Sequence, residues 1–394
     1  MKRLNFRHTV AACCIGYVTE AVIVNYAPLL FLTFSREYGI PLGRMTFIIM
    51  MNFGTQLIVD FLAAGFVDRI GYRRTALIAH GLASAGLILL AVLPDLLPSP
   101  FAGILISTLV YAVGCGLLEV IVSPIVEACP TGNKASAMSF LHSFYSWGTA
   151  GVILISTLFL NLFGGEKWRL LALIWSILPI LNAFFFSAVP INAPTAEDSA
   201  HGSIKGLAKS GMFWVFIVLM LCAGAAEQCV SQWASAFAES GLGVSKAVGD
   251  LAGPCMFAVF MAVARMLGAK LGNGKRLVPS LMICSLLCIG AYCLTVIPTS
   301  PVLSLIGCGL CGFSVGIFWP SVYSLGTAKV RGGTAMFAFF ALAGDFGCVF
   351  GPALTGLVSG RSGEGLKSGL ALGMIFPAIM MILLASLSQK EKKR

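Results

Sequence analysis

This 394-residue chain has few charged residues. Asp, Glu, Lys and Arg together make up 11% of it, whereas hydrophobic residues make up 58%. The mean hydropathy of +0.92 is too high for a water-soluble domain of this length. Long polar segments are missing, and so are the nucleotide P-loop, the H-E-x-x-H metal motif and the nucleophile elbow. These absences exclude a soluble catalytic domain. We predict a multi-pass membrane protein that is not an enzyme.

What the chain has instead is a series of apolar segments. A helix needs about 20 apolar residues to cross ~30 Å of hydrocarbon at 1.5 Å per residue. Each segment must be helical, because a backbone amide left unpaired in lipid costs several kcal/mol. We therefore predict an all-α membrane protein with twelve spans. They cover residues 9–33, 45–67, 75–97, 101–126, 136–163, 168–190, 212–238, 247–270, 277–298, 301–326, 334–359 and 366–388.

The formal net charge of +10 follows the spans and does not indicate a nucleic-acid partner. With the N-terminus in the cytoplasm, 18 of the 26 Lys and Arg residues fall in cytoplasmic segments and 7 fall in outside loops. The remaining cation, Arg265, lies inside a span. This positive-inside bias predicts that both termini are cytoplasmic. We expect the protein to lie in the inner or plasma membrane of the cell.

The thirteen cysteines and the basic N-terminus have simple interpretations. Nearly all cysteines lie in apolar spans, and the only C-x-x-C, Cys308 to Cys311, has no second pair or histidine cluster. Free cysteine is commonly a small buried apolar residue, so we expect no metal and no cofactor. The first apolar segment lacks an A-x-A cleavage site, which favours a retained first helix over a signal peptide.

The longest polar stretch, residues 191–211, divides the chain near its middle. It contains Pro, Gly, Ser and charges of both signs, which is typical of a linker. We predict an N-terminal six-helix bundle over 1–190, a cytoplasmic linker over 191–211 and a C-terminal six-helix bundle over 212–394.

The two halves also resemble each other in sequence. "GYVTE" (16–20) in the first span aligns with "GAAE" (224–227) in the seventh, which matches Glu20 with Glu227. Six residues later, the same alignment matches Tyr26 with Trp233. In the fourth and tenth spans, Gly114 matches Gly312. A weak repeat of this kind is typical of transporters whose halves rock about a central site.

The most specific motif is "GFVDRIGYRRTALI", residues 65–78, between the second and third spans. It resembles the G-x-x-x-D-R-x-G-R-[RK] pattern of the major facilitator superfamily, although Tyr72 replaces the usual first basic residue. The resemblance implies twelve helices in two pseudo-symmetric six-helix bundles, the major facilitator fold. It also implies a cytoplasmic latch that pairs across the halves in one conformation. Here the latch residues are Gly65, Asp68, Arg69, Gly71, Arg73, Arg74 and, at the end of the fourth span, Glu127. The alternative is that Arg73 and Arg74 only mark topology.

Within the superfamily, the sequence is most similar to the fucose permease group of sugar:proton symporters. "LHSFYSWG" (141–148) resembles the fifth-helix sequence of that group, which also has acids in its first and fourth helices, where Glu20 and Glu119 stand. The G-x-x-x-G-P-x-x-G pattern of drug:proton antiporters is missing from the fifth span, and a Gly-Pro pair occurs instead in the eleventh. The resemblance therefore implies symport, with proton coupling by Glu119 and Glu20.

Five acids fall inside the spans, and each requires an explanation. An ionised group at the middle of a membrane costs at least ~2.5–3.5 kcal/mol, so it faces a water-filled cavity, has a partner or is protonated. A carboxyl group that is neutral in one conformation and ionised in another can carry a proton. The alternatives are a structural hydrogen bond between helices and, for Asp60 or Asp345, an ion pair with Arg265. The five are Glu20, Asp60, Glu119, Glu227 and Asp345.

The same charge balance bears on the solute. Five acids against one arginine suit phosphate or carboxylate poorly, because those ligands favour bidentate Arg, and a small neutral solute such as a sugar fits better. Amide, acidic and aromatic side chains are the candidate ligands. We predict the substrate-binding set Glu20, His142, Glu227, Gln228, Gln232, Trp233, Trp319 and Asp345.

The prediction is a secondary transporter, proton-coupled and working as a monomer in the lipid bilayer, that imports a sugar-like solute by alternating access. Two alternatives stay open: a drug or metabolite exporter of the same fold, and a membrane receptor that does not transport. Sodium in place of a proton as the coupling ion, the direction of transport and the particular solute also stay open.

Overall fold

The structure is a computed structural model that describes residues 4–130, 134–192, 207–271, 277–330, 333–360 and 365–392. Helices account for almost all of this part of the chain, and it contains no strand. The predicted all-α fold class is confirmed.

The described residues include twelve helical stretches that are long and apolar enough to cross a membrane, which confirms the predicted number. Large apolar side chains on these stretches point outward: Phe61, Phe184 and Ile382 are 69–71% exposed. A water-soluble protein rarely leaves so much contiguous apolar surface uncovered, whereas a bilayer covers it. All thirteen cysteines are free and most are buried, as their apolar surroundings predict.

The chain divides into two compact units, Met1–Thr195 and Ala196–Arg394, which we call the N-terminal and C-terminal units. Most of the predicted linker, residues 193–206, lies outside the described residues.

The N-terminal unit consists of six long helices and one short one. The helices are α1 Phe6–Leu29, α2 Phe31–Tyr38, α3 Leu42–Ile70, α4 Tyr72–Leu96, α5 Pro100–Glu127, α6 Lys134–Phe163 and α7 Trp168–Ala188. Within the unit, α4 packs on α5 and α7, α1 packs on α5 and α6, and α3 packs on α5.

The first span ends at a break that α2 follows. Pro28 lies in the last turn of α1, Leu30 interrupts the helix, and α2 begins at Phe31. Proline removes one helical hydrogen bond, which explains why the break occurs here. The Tyr26 hydroxyl donates to the backbone carbonyl of Trp168, so the end of α1 is attached to the start of α7.

A polar cluster around Arg169 then holds α2 in place. The guanidinium contacts the Glu37 carboxylate, the Asp95 carboxylate (Nε to Oδ2, 2.7 Å) and the Tyr38 hydroxyl (2.7 Å). These partners lie on α2 and α4, and Arg169 itself lies on α7. Arg suits this position because its planar group donates several hydrogen bonds in fixed directions. One side chain therefore ties three helices together at one end of the unit.

The C-terminal unit is less regular, because several of its spans are interrupted. Two segments, Phe237–Gly241 and Leu251–Cys255, are π-helical, a geometry that is rare and frequent at functional sites. The α-helices are α8 Gly211–Ser231, α9 Ala234–Ala236, α10 Lys246–Asp250, α11 Met256–Leu271, α12 Leu277–Val296, α13 Pro301–Val315, α14 Phe318–Lys329, α15 Gly333–Ser359, α16 Leu366–Leu372 and α17 Ile375–Lys392.

The glycines matched by the sequence repeat both sit where helices touch. A Cβ atom on Gly114 of α5 would lie 2.5 Å from the Ala79 carbonyl oxygen of α4. A Cβ atom on Gly312 of α13 would lie 2.1 Å from the Phe257 carbonyl oxygen of α11. Both positions exclude any side chain, since contacts this short do not occur between real atoms, and small residues of this kind permit close packing of membrane helices.

Candidate functional site

Three of the five predicted intramembrane acids belong to the N-terminal unit. Glu20 on α1 is 7% exposed, and Asp60 on α3 and Glu119 on α5 are partly buried. The carboxylate oxygens of Asp60 and Glu119 lie within 4.8 Å of one another. All three acids are near the fully buried Cys115.

Two carboxylates at this separation disfavour double ionisation, because like charges repel strongly away from bulk water. The Lys and Arg residues of the N-terminal unit lie in loops or in the terminal turns of helices. Binding of one proton to the pair would relieve the repulsion between the two carboxylates.

Tyr17 is the centre of a second polar group in the same unit. Its hydroxyl lies 3.1 Å from Ser123 Oγ on α5 and 3.2 Å from His142 Nδ1 on α6. The Tyr17 side chain is buried, with 5% exposure, whereas His142 is exposed. The two rings have centroids 5.3 Å apart. Tyr17 lies one turn from Glu20, and Ser123 lies one turn from Glu119, so this group adjoins the acids.

The structure describes only part of the predicted latch loop. Gly71 links α3 to α4 at φ +88°, a conformation that favours glycine because it carries no Cβ atom. Arg69 and Arg74 are exposed. The side chains of Asp68 and Glu127 and the surroundings of Gly65 lie outside the described residues, so the latch remains a prediction.

Arg73 has a specific structural position that the sequence does not reveal. Its Nη1 donates to the carbonyls of Phe186 and Ser187, each at 2.6 Å, and its Nη2 donates to the carbonyl of Val189 at 2.7 Å. These carbonyls lie at the C-terminal end of α7, where backbone oxygens have no partner within the helix. A cation there also interacts favourably with the helix dipole. In this structure Arg73 caps α7.

In the C-terminal unit, Glu227 on α8 pairs with Arg265 on α11. Arg265 Nη2 and Glu227 Oε2 are 3.4 Å apart, and the two side chains are 17% and 6% exposed. The sequence suggested Asp60 or Asp345 as the partner of Arg265 and did not anticipate Glu227. The intramembrane cation therefore lies beside a glutamate that we predicted to bind substrate.

The predicted amide ligands extend this pair along α8. Gln228 Nε2 lies 3.4 Å from Glu227 Oε1, and Gln232 Nε2 donates to Gln228 Oε1 at 3.1 Å. All three residues are buried. Gln232 directly follows the end of α8 at Ser231. The structure therefore brings together Glu227, Gln228 and Gln232, beginning at an ion pair and ending at a helix break.

The remaining predicted ligands of this unit have separate surroundings. Trp233 is 1% exposed and its indole N–H donates to the Pro352 carbonyl at 3.0 Å, so in this structure its polar atom is occupied by the backbone. Trp319 packs on Gly344, where a Cβ atom would meet the indole at 2.3 Å. Asp345 directly follows Gly344 on α15 and is 9% exposed.

The sequence reasoning missed Tyr17 and Arg169 as centres of polar contacts. Tyr17 is the third residue before Glu20, a spacing that places two side chains on one helical face, and that signal was available. For Arg169 the sequence gives no such signal, because its partners Glu37 and Asp95 lie on other helices, more than 70 residues away in the chain.

The chain was compared with known proteins. The model of the Major Facilitator Superfamily matches residues 10–352. A search of curated proteins finds no match.

Among solved structures, the E. coli fucose:proton symporter FucP has a TM-score of 0.67 at 16% identity, covering 95% of this chain and 97% of that chain. FucP in the outward conformation has a TM-score of 0.63 with the same identity and coverage. A bacterial homologue of the human lysosomal transporter Spinster, inward-facing and occupied, has a TM-score of 0.72 at 15% identity, covering 96% of both chains. At these identities the likeness is one of fold. The match over most of the sequence and the twelve spans together show that this chain belongs to the Major Facilitator Superfamily.

Proposed function

We propose that this protein is a proton-coupled symporter that imports a sugar-like neutral solute by alternating access. A secondary transporter is the function that the family and fold support. The observation that carries the coupling proposal is the closeness of Asp60 and Glu119, whose carboxylate oxygens lie within 4.8 Å of one another. Two carboxylates this close to one another favour the uptake of a proton by one of them.

The two units divide the work in this proposal. Glu119, next to Asp60, takes up and releases the coupling proton, and Glu20 on the neighbouring helix assists it. Glu227 has Arg265 at 3.4 Å, and a positive neighbour favours the ionised carboxylate. We therefore assign Glu227 to hydrogen bonding with the solute and not to proton coupling.

The proposed solute is a neutral polyol. Glu227, Gln228 and Gln232 supply oxygen and nitrogen atoms that suit hydroxyl groups, and Glu20, Trp319 and Asp345 complete the candidate set. One of the solved structures with a similar fold is a fucose:proton symporter, which agrees with this class of solute. His142 is hydrogen-bonded to Tyr17, and Trp233 to the backbone, so we give neither a primary role in sugar binding.

The test uses purified protein in proteoliposomes and a panel of D-glucose, D-galactose, D-mannose, D-xylose and L-fucose. Wild-type protein is expected to accumulate one of these sugars when the outside is acidic. Glu119→Gln is expected to keep sugar exchange across the membrane and to lose the accumulation that depends on the proton gradient. Glu166→Gln, at an exposed loop position, is the matched control and is expected to behave as wild type.

Each other outcome identifies a different function. Unchanged pH dependence in Glu119→Gln would remove Glu119 from coupling, and accumulation that follows a sodium gradient would replace the proton by sodium. Transport of the solute from the cytoplasmic side of the protein to the opposite side, against the solute gradient, would indicate an exporter. Absence of any transport across the panel would contradict sugar import.

A further inference from the structure

The polar group of Tyr17, Ser123 and His142 has no role in the proposed function. We propose that His142, Tyr17 and Ser123 form the route by which the buried acids exchange protons with water, with His142 at the water end. This inference rests on the proposed function, because it serves the proton that Glu119 carries.

The water end is identified by the position of His142 on α6. Its side chain is exposed, and so are the apolar side chains of Trp147, Leu154 and Leu158 on the same helix. At 100° per residue, His142 lies about 120–160° around the helix from those three residues. Its helical neighbour Ser146 is buried. The imidazole is therefore exposed on a different side from the apolar stripe that suits lipid, and water is the medium that can reach it.

The inner end is identified by two helical spacings. Ser123 follows Glu119 by four residues on α5, and Tyr17 precedes Glu20 by three residues on α1, so each pair shares one helical face. The Tyr17 hydroxyl lies between Ser123 and His142, at 3.1 and 3.2 Å. Other ionisable groups near the route include Asp60 on α3, Cys13 on α1, Cys115 on α5 and Tyr145 on α6, whose ring lies 6.5 Å from that of Tyr17.

The transfer can be written with every proton accounted for. A hydronium ion protonates His142 at Nε2 and becomes water, and the Nδ1 proton passes to the Tyr17 oxygen while the Tyr17 hydroxyl proton passes to Ser123 Oγ. His142 is then neutral, with its proton on Nε2. The Ser123 hydroxyl proton passes to the Glu119 carboxylate through one bridging water, which takes up one proton and gives up another. One O–H bond breaks and one forms at each hydroxyl, so Tyr17 and Ser123 end neutral and only Glu119 gains a proton. Release runs through the same steps in reverse.

The route also opens toward one particular side of the membrane. Tyr17 lies nearer than Glu20 to the Phe6 end of α1, and Ser123 lies nearer than Glu119 to the Glu127 end of α5. Those helix ends belong to the side that the positive-inside bias predicts to be cytoplasmic. The route is therefore suited to releasing the coupling proton into the cytoplasm after import.

Infrared difference spectroscopy on purified protein tests this route without any solute. After a rapid drop in pH, the carboxyl band that Glu119→Gln removes reports the protonation of Glu119. Tyr17→Phe lacks only the hydroxyl, and His142→Asn keeps a hydrogen-bonding group near Nδ1 but cannot carry a proton. In each variant we expect the rate at which this band appears to fall about tenfold or more. Tyr145→Phe, which removes a neighbouring hydroxyl, is expected to leave the rate unchanged.

A second readout separates proton transfer from simple support of the structure. In His142→Ala, protonation of Glu119 is expected to be slow. Added imidazole is expected to restore much of the rate, because a diffusible base replaces the missing side chain. Wild-type rates in both Tyr17→Phe and His142→Asn would overturn the route while leaving Glu119 as the proton carrier. No band that depends on Glu119 would overturn the proposed coupling itself, and the route with it.

Discussion

Replacing Arg73 by alanine separates two roles that the sequence motif leaves open. The motif predicts a latch between the halves, whereas the structure shows a cap on α7 made by three hydrogen bonds to backbone carbonyls. A latch residue affects transport and has little effect on the stability of its own unit. A cap residue stabilises the unit, because its loss leaves carbonyls at a helix end without partners.

The size of the effect follows from the geometry. A hydrogen bond to a charged group contributes about 1.5–3 kcal/mol. The bonds to Phe186 and Val189 are part-buried, whereas the bond to Ser187 is exposed and water replaces it readily. Counting the two part-buried bonds and allowing for partial rehydration, we expect Arg73→Ala to cost about 2 kcal/mol. In a domain of 150–250 residues, this lowers the unfolding temperature by about 4–8 °C.

Thermal unfolding of purified protein, followed by intrinsic fluorescence, measures this directly. The matched control is the neighbouring Arg74, which is exposed, and Arg74→Ala is expected to change stability by less than about 0.5 kcal/mol. Arg73→Lys is expected to be intermediate, because an ammonium group cannot reach three carbonyls with the fork of a guanidinium. Wild-type unfolding of Arg73→Ala, together with a loss of transport in both alanine variants, would show that the cap is unimportant and the latch correct.

Two further predictions concern charged and polar pairs. Arg265→Gln is expected to destabilise the protein by about 3 kcal/mol, because it leaves the Glu227 carboxylate buried without its cation. The double variant Glu227→Gln with Arg265→Gln is expected to recover most of that loss. If thermal unfolding shows that the effects of the two single substitutions simply add, the pairing is contradicted. Burial, and next the hydrogen bond to Asp95, raise the pKa of Tyr38 above its ordinary value of 10.0, although Arg169 opposes this. Because the folded state favours the neutral phenol, its contribution to stability is present below pH 10.0 and is lost as the pH rises above it. The unfolding temperature of wild type should therefore fall more steeply in this range than that of Tyr38→Phe, and parallel curves would refute the assignment.

Hydropathy alone predicts the number and approximate position of the spans, because crossing a bilayer imposes a length and a composition on every one of them. It does not predict which side chains meet. That depends on how far each helix is rotated about its axis, and an error of one residue turns a side chain by about 100°. The contacts of Tyr17 with His142, 125 residues apart, and of Arg265 with Glu227, 38 residues apart, depend on such rotations. So do the carbonyl partners of Arg73.

Residues that the internal repeat matches in position have different surroundings in the two units. The repeat matched Glu20 with Glu227, and both are buried on the first span of their unit. The difference comes from the second span of each unit, Leu42–Leu62 and Lys246–Gly268. Near the end of that span, the N-terminal unit has Asp60 and the C-terminal unit has Arg265. Asp60 adds negative charge beside Glu119, which favours binding of a proton, whereas Arg265 balances Glu227. The matching helices of the two units therefore place charges of opposite sign beside their acids, a difference that the sequence repeat does not predict.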